Sequence, residues 1–406
     1  MPPLEGSARG DVLVVGAGFT GLSTALHLAE RGVAAIVVDA ETIGFGASGR
    51  NGGQVNPGLK PDPDEVERHF GAERGRALNA WAGGAPAFVF SLIERLGIRC
   101  EARRNGTLRA AAPTAHVAAV ERTASQWAAR GAPVEFLARD AVAAATGCER
   151  YRGAMLDRRG GDLNPLSYAR GLANAAIGAG ARIHGGTRIE SLERVNGGWR
   201  ARVAGAEVVA SRVVIATNGY SDALWPGLRR SVIPVFSHIV ATAPLPAALA
   251  ARILPGRPVL YESGLVTVYY RLDAGGRLLI GGRGPLREIN APSDLPHLTG
   301  YARRLWPALG DTAWTHAWGG RIAMTFDHYP HIHEPADGIL IALGYNGRGV
   351  ALASALGAEL ARRVIDPRAQ IAIPPSPLRA IPLHALWPLA VKAAVLRGRI
   401  ADRFGR

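Results

Sequence analysis

The stretch from Asp11 to Asp39 constrains this chain more than any other. Asp11–Val15 is a short valine-rich run that reads as a buried strand. Gly16-Ala17-Gly18-Phe19-Thr20-Gly21 follows at once. Leu22, Ala25, Leu26, Leu28 and Ala29 then keep a helical apolar spacing until Arg31-Gly32 ends it. A second apolar run, Ala35–Val38, closes on Asp39 and Ala40. Each part has a physical purpose. Gly16 permits a tight turn, Gly18 lets the backbone approach a pyrophosphate, and Gly21 lets helix and strand pack closely. Phe19 and Thr20 open a helix whose free N–H groups and positive dipole end attract phosphate. Asp39 falls 18 residues beyond Gly21, where a carboxylate accepts hydrogen bonds from both hydroxyls of an adenosine ribose. Strand, glycine turn, helix, strand and acid in register predict a Rossmann-type dinucleotide site.

The next segment selects the dinucleotide. Gly44-Phe45-Gly46-Ala47-Ser48-Gly49-Arg50-Asn51-Gly52-Gly53-Gln54 is crowded with glycine and small polar residues. A simple nicotinamide dehydrogenase has no need of such a loop. It suits a chain lying along the pyrophosphate and ring of FAD, with backbone N–H groups and Ser48 reaching oxygen atoms. Arg50 is expected to pair with phosphate as a planar fork.

Gly16–Gly21, Asp39 and above all Gly46–Gln54 resemble the D-amino-acid oxidase/glycine oxidase/sarcosine oxidase superfamily of FAD enzymes. Within it the chain resembles the γ-glutamylputrescine oxidase-like branch, over nearly its whole length. The resemblance implies oxidation of a C–N bond in an amine or amino acid, by hydride transfer to flavin N5, giving an imine that hydrolyses. It puts Ile189 beside the adenine, and Ala216-Thr217-Asn218-Gly219 at a second cofactor-contacting strand end. Gly344-Tyr345-Asn346-Gly347-Arg348-Gly349-Val350 resembles the family's C-terminal FAD motif. There a helix N-terminus faces the flavin's pyrimidine edge and favours a negatively charged reduced ring. The pocket candidates are Asn51, Gln54, His238, Tyr270, Arg283, Trp318 and Tyr345, with Tyr269 beside them and Arg283 as the clamp for a substrate carboxylate.

Two departures from the family pattern matter. Relatives bond the flavin through a cysteine shortly before a Met-Thr-x-Asp stretch. Here Met324-Thr325-Phe326-Asp327 is present, but Gly320 stands near the cysteine's place. Relatives linked through a histidine need it near Arg50. FAD is therefore expected to be held without a covalent bond, His316 being the nearest alternative. Relatives also keep a lysine by the flavin for reaction with oxygen, and neither Lys60 nor Lys392 falls in the corresponding Leu278–Gly281 segment. The electron acceptor, O2 or another, stays open. Alternatives are a flavin monooxygenase or other flavin chemistry, and a non-catalytic FAD-binding scaffold.

The rest of the chain fits an α/β (α+β overall) fold, with a Rossmann-type FAD-binding domain and a second, mostly antiparallel β-sheet substrate domain. Helices are expected over Arg68–Leu96, interrupted at Gly83-Gly84 and Pro86, over His116–Ala129, and from Pro165 through Ile177. Ile189–Val195 and Trp199–Val203 read as a meander leading into Arg212–Ala216. Ser231–Ala243, Val266–Leu272 and Arg277–Gly281 supply the second sheet, Trp314–Met324 carries a dense set in Trp314, His316, Trp318, Gly319 and Gly320, and an alanine-rich helix runs to Val364. The expected division is residues 1–90, 150–220 and 320–370 for FAD, 91–149 and 221–319 for substrate, and 371–406 as a helical tail. In that tail Leu386, Leu389, Leu396 and Ile400 alternate with Lys392, Arg397, Arg399 and Arg403. A packing helix with a basic face is expected, and contact with a surface is the alternative.

Composition excludes other classes. The net charge of +14 is spread along the chain, and its 47 basic residues include only two lysines, Lys60 and Lys392. That arginine bias gives no dense basic run, so a nucleic-acid partner is not expected. No apolar run reaches the roughly 18 residues of a spanning helix, and Met1–Glu5 lacks a signal-peptide layout. A cytoplasmic enzyme is the expectation. Cys100 and Cys148 have no C-x-x-C spacing. His328, His331 and His333 surround Pro330, which breaks any metal-binding helical face, so no metal is expected.

Overall fold

A computed structural model of the chain describes residues 1–112, 114–264 and 267–404, with side chains through residue 398. The strand Ser7–Val15 lies at the centre of the first sheet, in the order His331–His333, Ile339–Leu343, Ala206–Ile215, Ser7–Val15, Ala35–Val38, Arg182–His184. Its pairings with Ala206–Ile215 and Ala35–Val38 are parallel. Val12 and Val14 bury toward one side and Leu13 and Val15 toward the other. A parallel strand covered on both faces needs apolar residues at every position, which explains the unbroken run.

Helices cover one face: Phe19–Ala29, Ala72–Arg95, Pro165–Gly178 and Gly349–Ile365 bring Leu22, Val89, Leu172 and Leu356 into one core. The meander Ile189–Val195 and Gly198–Val203 covers the other, with Trp199 and Val203 buried there. The first and last of those helices are nearly in backbone contact. Ser23 Oγ donates to the Ser354 carbonyl at 2.7 Å, and a Cβ on Gly357 would stand 2.6 Å from the Thr20 carbonyl oxygen. Val15 lies opposite both Val38 and Ile215, and Ile215 opposite Ile341. The carboxyl ends of these strands therefore finish level, so the segments following them open onto one crevice.

Among the described residues the second sheet has eight strands and is antiparallel except where Val259–Glu262 pairs with Thr107–Ala111. Ile233–Thr242 pairs along its length with Trp314–Met324, and on its other edge with Leu278–Gly282. Gly153–Asp157 also joins this sheet, and Trp314–Met324 carries it past residue 320. Both segments cross the division drawn from sequence. The expected strand start at Val266 lies outside the described residues; Tyr269–Leu272 is strand.

Two expectations are corrected. The long helix is not interrupted at Gly83-Gly84 or Pro86: Ala72–Arg95 runs through them, and the break falls at Gly71, where φ is 83°. Pro86 has no N–H to offer the Ala82 carbonyl, and the Gly58 N–H takes that acceptor at 3.0 Å. The tail helix, Trp387–Phe404, does not pack by its leucines. Leu389 and Leu396 are 64% and 62% exposed. Among the described residues, no helix is long and apolar enough to cross a membrane.

Candidate active site

A crevice of about 260 Å³ runs across the strand ends. Gly16, Gly18, Phe19 and Thr20 line it from the first turn, and Asp39 and Ala40 from the second strand. The helix Phe19–Ala29 has glycine, Gly18, at its N-cap and so no cap from that residue's side chain, which leaves the first-turn N–H groups after Phe19 available. Ser48 Oγ accepts the Phe19 N–H at 3.0 Å and fills the space a side chain at Gly18 would need, a Cβ there falling 2.8 Å from that oxygen. Gly21 stands off the crevice and does what its spacing implies: a Cβ would lie 2.0 Å from the Gly16 carbonyl oxygen.

Asp39 is placed by two backbone bonds, Oδ2 accepting from Ala17 N–H at 2.7 Å and Oδ1 from Glu41 N–H at 2.9 Å. Burial raises its carboxyl above the usual aspartate value, against the lowering by these bonds. Ala47, Ser48 and Asn51 line the crevice from the glycine loop, with Ile189, Ala216, Thr217 and Asn218 from the strand ends opposite. Tyr345, Asn346, Gly347, Gly349 and Val350 close it. Asn346 has φ of 51°. Its amide holds that conformation by accepting the Thr325 N–H at 2.9 Å and donating to the Gly344 carbonyl.

A second cavity, about 180 Å³, opens between the glycine loop and the second sheet. Ala47, Asn51, Ile322, Asn346, Gly347 and Val350 line both. Gly52, Gln54, Arg50, Arg348 and Arg283 line the second alone, as does Tyr269. Its ring lies against Gly52 and Gly281, where a Cβ would stand 2.8 Å and 2.3 Å from ring carbons. The Tyr269 hydroxyl meets Ser237 Oγ at 2.9 Å. Arg348 donates to the Tyr261 hydroxyl at 2.8 Å and lies over its ring. Among the described residues Arg283 has no ion pair, and its buried Nη1 has no hydrogen-bond partner. Burial lowers its pKa, Tyr269 opposing.

Several sequence candidates stand elsewhere. Tyr270 is on the opposite face of its strand from Tyr269, because strand side chains alternate. It is buried against Trp306, with its hydroxyl 2.6 Å from that of Tyr151. His238 is buried under the sheet, its Nε2 at 2.8 Å from the Pro285 carbonyl. Trp318 lines neither cavity but donates to the Arg50 carbonyl at 3.0 Å, bracing the loop. Tyr345 lies in the crevice alone, hydrogen-bonded to Thr20. Arg50 does not reach into the crevice as a phosphate fork; it stacks on Phe45 at 4.1 Å and faces the second cavity. Gly49, Gly53, Gly219 and Gly344 line neither cavity. In each a Cβ would meet another atom within 2.7 Å, so they serve close packing.

Sequence reasoning missed several contributors. Thr187, Arg188 and Arg321 line the crevice. Arg271, buried in the second sheet, pairs with Asp162 at 2.8 Å and donates to the Gly52 carbonyl, tying the glycine loop to the sheet. Lys60 opens into the second cavity from the Gln54–Val55 side. Neither cavity is lined by a cysteine or a histidine among the described residues. Gly320 and Arg50 do adjoin, a Cβ at Gly320 lying 3.4 Å from that of Arg50. Cys100 and Cys148 are free and buried, and burial pushes the Cys100 thiol up to about 11. His331 pairs with Asp327 at 3.0 Å.

A phosphate-ready helix terminus, a ribose-placed carboxylate and a crevice running into a second chamber fit an extended dinucleotide whose reactive end meets a separate ligand. That layout defines a dinucleotide-dependent redox enzyme. Residues 11–363 match the DAO family, FAD dependent oxidoreductase, and the chain belongs to it. It is 33% identical to the gamma-glutamylputrescine oxidoreductase of Escherichia coli over 88% of this chain and 85% of that one. It is 32% identical to the probable oxidoreductase OrdL of Rhizobium meliloti, over 98% and 94% of the two. The glycine oxidase of Geobacillus kaustophilus superposes with a TM-score of 0.77 at 25% identity, covering 92% of this chain and 99% of that one.

Proposed function

We propose that this FAD-dependent oxidoreductase acts on a small amine or amino acid, oxidising its C–N bond to an imine that water hydrolyses, and that the substrate carries a carboxylate. Gly16–Thr20 and Ser48 would hold the pyrophosphate, Asp39 the adenosine ribose, Ile189 the adenine, and Asn346–Val350 the flavin's pyrimidine end. Bound there, FAD supplies a two-electron acceptor for the hydride that leaves the carbon next to nitrogen.

The observation that carries the substrate reading is the charge of the second cavity. Arg50, Lys60, Arg283 and Arg348 line it, and no aspartate or glutamate does among the described residues. A free diamine would be repelled there, whereas a carboxylate meets planar, permanently charged forks. Arg283 is the carboxylate partner, its buried Nη1 otherwise unsatisfied. The Tyr269 ring and Asn51 shape the wall across which the reacting carbon is oriented.

O2 or another oxidant takes the electrons onward. A cytoplasmic location is part of the proposal, supported by two cysteines that are free and buried. The exposed Leu389 and Leu396 beside Lys392 and Arg397 suit contact with an anionic surface; vesicle binding that persists without residues 387–406 removes that role. The function itself is tested by an anaerobic screen of amines and amino acids, read as loss of flavin absorbance. An enzyme that instead consumes NADPH rapidly without an amine is a monooxygenase.

A further inference from the structure

The helix Trp387–Phe404 has two apolar faces. Trp387, Val391 and Val395 recur at helical spacing and are half-buried. The face opposite carries Leu389 and Leu396, with Ala393 between them, and all three are exposed. One apolar side is spent on packing while a second stays uncovered. The uncovered row begins before the helix, in Leu383 and Leu386, which are 79% and 51% exposed. Single exposed leucines are ordinary on a protein surface, but a row of them on one short segment marks a contact.

Phe326 stands beside this row and is 89% exposed. Ile233 pairs with Met324 at the end of the second sheet, which puts Val232 next to the chain entering Phe326. His384 donates from Nε2 to the Val232 carbonyl at 2.9 Å, and the Ile381 N–H donates to the Arg230 carbonyl at 2.8 Å. Further back, the Ser376 N–H donates to the Ile332 carbonyl at 2.8 Å. The segment leading to the helix is thus tied to both flanks of loop 325–330, which displays Phe326. The charge around it has one sign. Residues 367–401 contain no aspartate or glutamate. Arg229, Arg230, Arg379, Lys392 and Arg397 are exposed and make no ion pair among the described residues. Asp327, beside Phe326, is engaged by His331 at 3.0 Å.

We propose that Phe326 and the leucine row form one docking face for the surface of an anionic phospholipid bilayer. The proposal rests on the surface contact named above, which it extends to a second anchor, and is independent of the substrate. Among the described residues no helix can cross a membrane, so the helix lies along the interface. Leu389 and Leu396 enter the acyl boundary, and Lys392 and Arg397 stay at the headgroup phosphates. Two other occupants fit the face less well. A second copy docked face to face would set each row of cations against its own image, with no acid in residues 367–401 to offset it. A nucleic acid would meet the cations but leave the leucines and Phe326 in water. Met324, two residues before Phe326, lines the second cavity, so the docked face adjoins the substrate site.

The test floats the FAD-loaded protein with vesicles of phosphatidylcholine alone, or of phosphatidylcholine with an equal part of phosphatidylserine. It should bind the mixed vesicles about 10-fold better or more, and lose that advantage at high salt as the lipid charge is screened. Phe326→Ser, and separately Leu389→Ser with Leu396→Ser, should each lower the partition coefficient by about 10-fold or more, the share of an apolar side chain kept out of the acyl region. Lys392→Glu with Arg397→Glu should erase the preference for phosphatidylserine. All these side chains are exposed, so bound FAD and its absorbance should match those of the unaltered protein. Equal binding to neutral and mixed vesicles, or binding to neither, overturns the proposal. So does a dimer that the paired leucine substitutions dissociate, which gives the face to a second copy. A Phe326→Ser protein that binds like the unaltered one overturns the joint face while leaving the tail contact standing.

Discussion

Replacing Asp39 by alanine tests how the crevice holds its nucleotide. Each Asp39 oxygen already accepts one backbone N–H, from Ala17 at 2.7 Å and from Glu41 at 2.9 Å. A carboxylate oxygen has a second acceptor position, so both ribose hydroxyls can bond without displacing either. Hydrogen bonds to a charged acceptor contribute about 1.5–3 kcal/mol each in proteins. Part of that is offset because the carboxylate and the ribose hydroxyls exchange hydrogen bonds with water for the bonds to each other. A net loss of about 1–3 kcal/mol follows, roughly 5- to 150-fold in Kd for FAD. The assay is titration of apoprotein with FAD, followed by quenching of flavin fluorescence. A pH series adds a second arm. The ribose hydroxyls donate, so they need the ionised carboxylate, and burial raises the Asp39 pKa. Affinity should therefore weaken as pH falls through that raised pKa in the unaltered protein, and Asp39→Ala should lack this dependence. An unchanged Kd in Asp39→Ala at neutral pH would refute the ribose assignment.

Other outcomes follow from the same geometry. Gly18→Val should purify without FAD, since its Cβ would meet Ser48 Oγ at 2.8 Å and its methyls would fill the pyrophosphate path; stoichiometric FAD counts against this. Acid precipitation should release all yellow colour, because no cysteine or histidine lines either cavity among the described residues; a fluorescent pellet heavier by one FAD contradicts it and points first to His316. Arg283→Gln should raise KM for a carboxylate-bearing amine by about 10-fold or more, with FAD affinity unchanged; an unaltered KM places the carboxylate elsewhere. Arg271→Leu should cost about 3–5 kcal/mol of stability in denaturant unfolding, because it strands the buried Asp162 charge; a change under 1 kcal/mol would show that Asp162 finds solvent or a proton.

The nucleotide half was legible because its physics is local. Strand, turn, helix and acid from Asp11 to Asp39 are contiguous, and glycine spacing alone fixes which atoms face the crevice. Ala35–Val38 is a strand with the very bounds its apolar pattern suggests. The substrate half was less legible, because its cavity is assembled from segments distant in sequence. Tyr269 and Tyr270 differ only in strand parity, and nothing local says which faces the flavin side. His238 looks like chemistry on paper, yet its Nε2 meets the Pro285 carbonyl and the residue lines neither cavity. Lys60 follows Gly58-Leu59 in a stretch without regular pattern, and only the sheet folded over it reveals that it lines a cavity. Pro86 misleads for the same reason, since the Gly58 N–H that takes over its hydrogen bond comes from 28 residues earlier in the chain.

Anaerobic bleaching of the bound flavin tests the central claim most directly. The purified enzyme is mixed, without oxygen, with matched amines that do and do not carry a carboxylate, and flavin absorbance is followed. The account expects bleaching by at least one carboxylate-bearing amine, faster than by its uncharged or diamine counterpart, with the corresponding aldehyde or keto product released. A flavin that stays oxidised with every amine, or one reduced best by a free diamine, contradicts it.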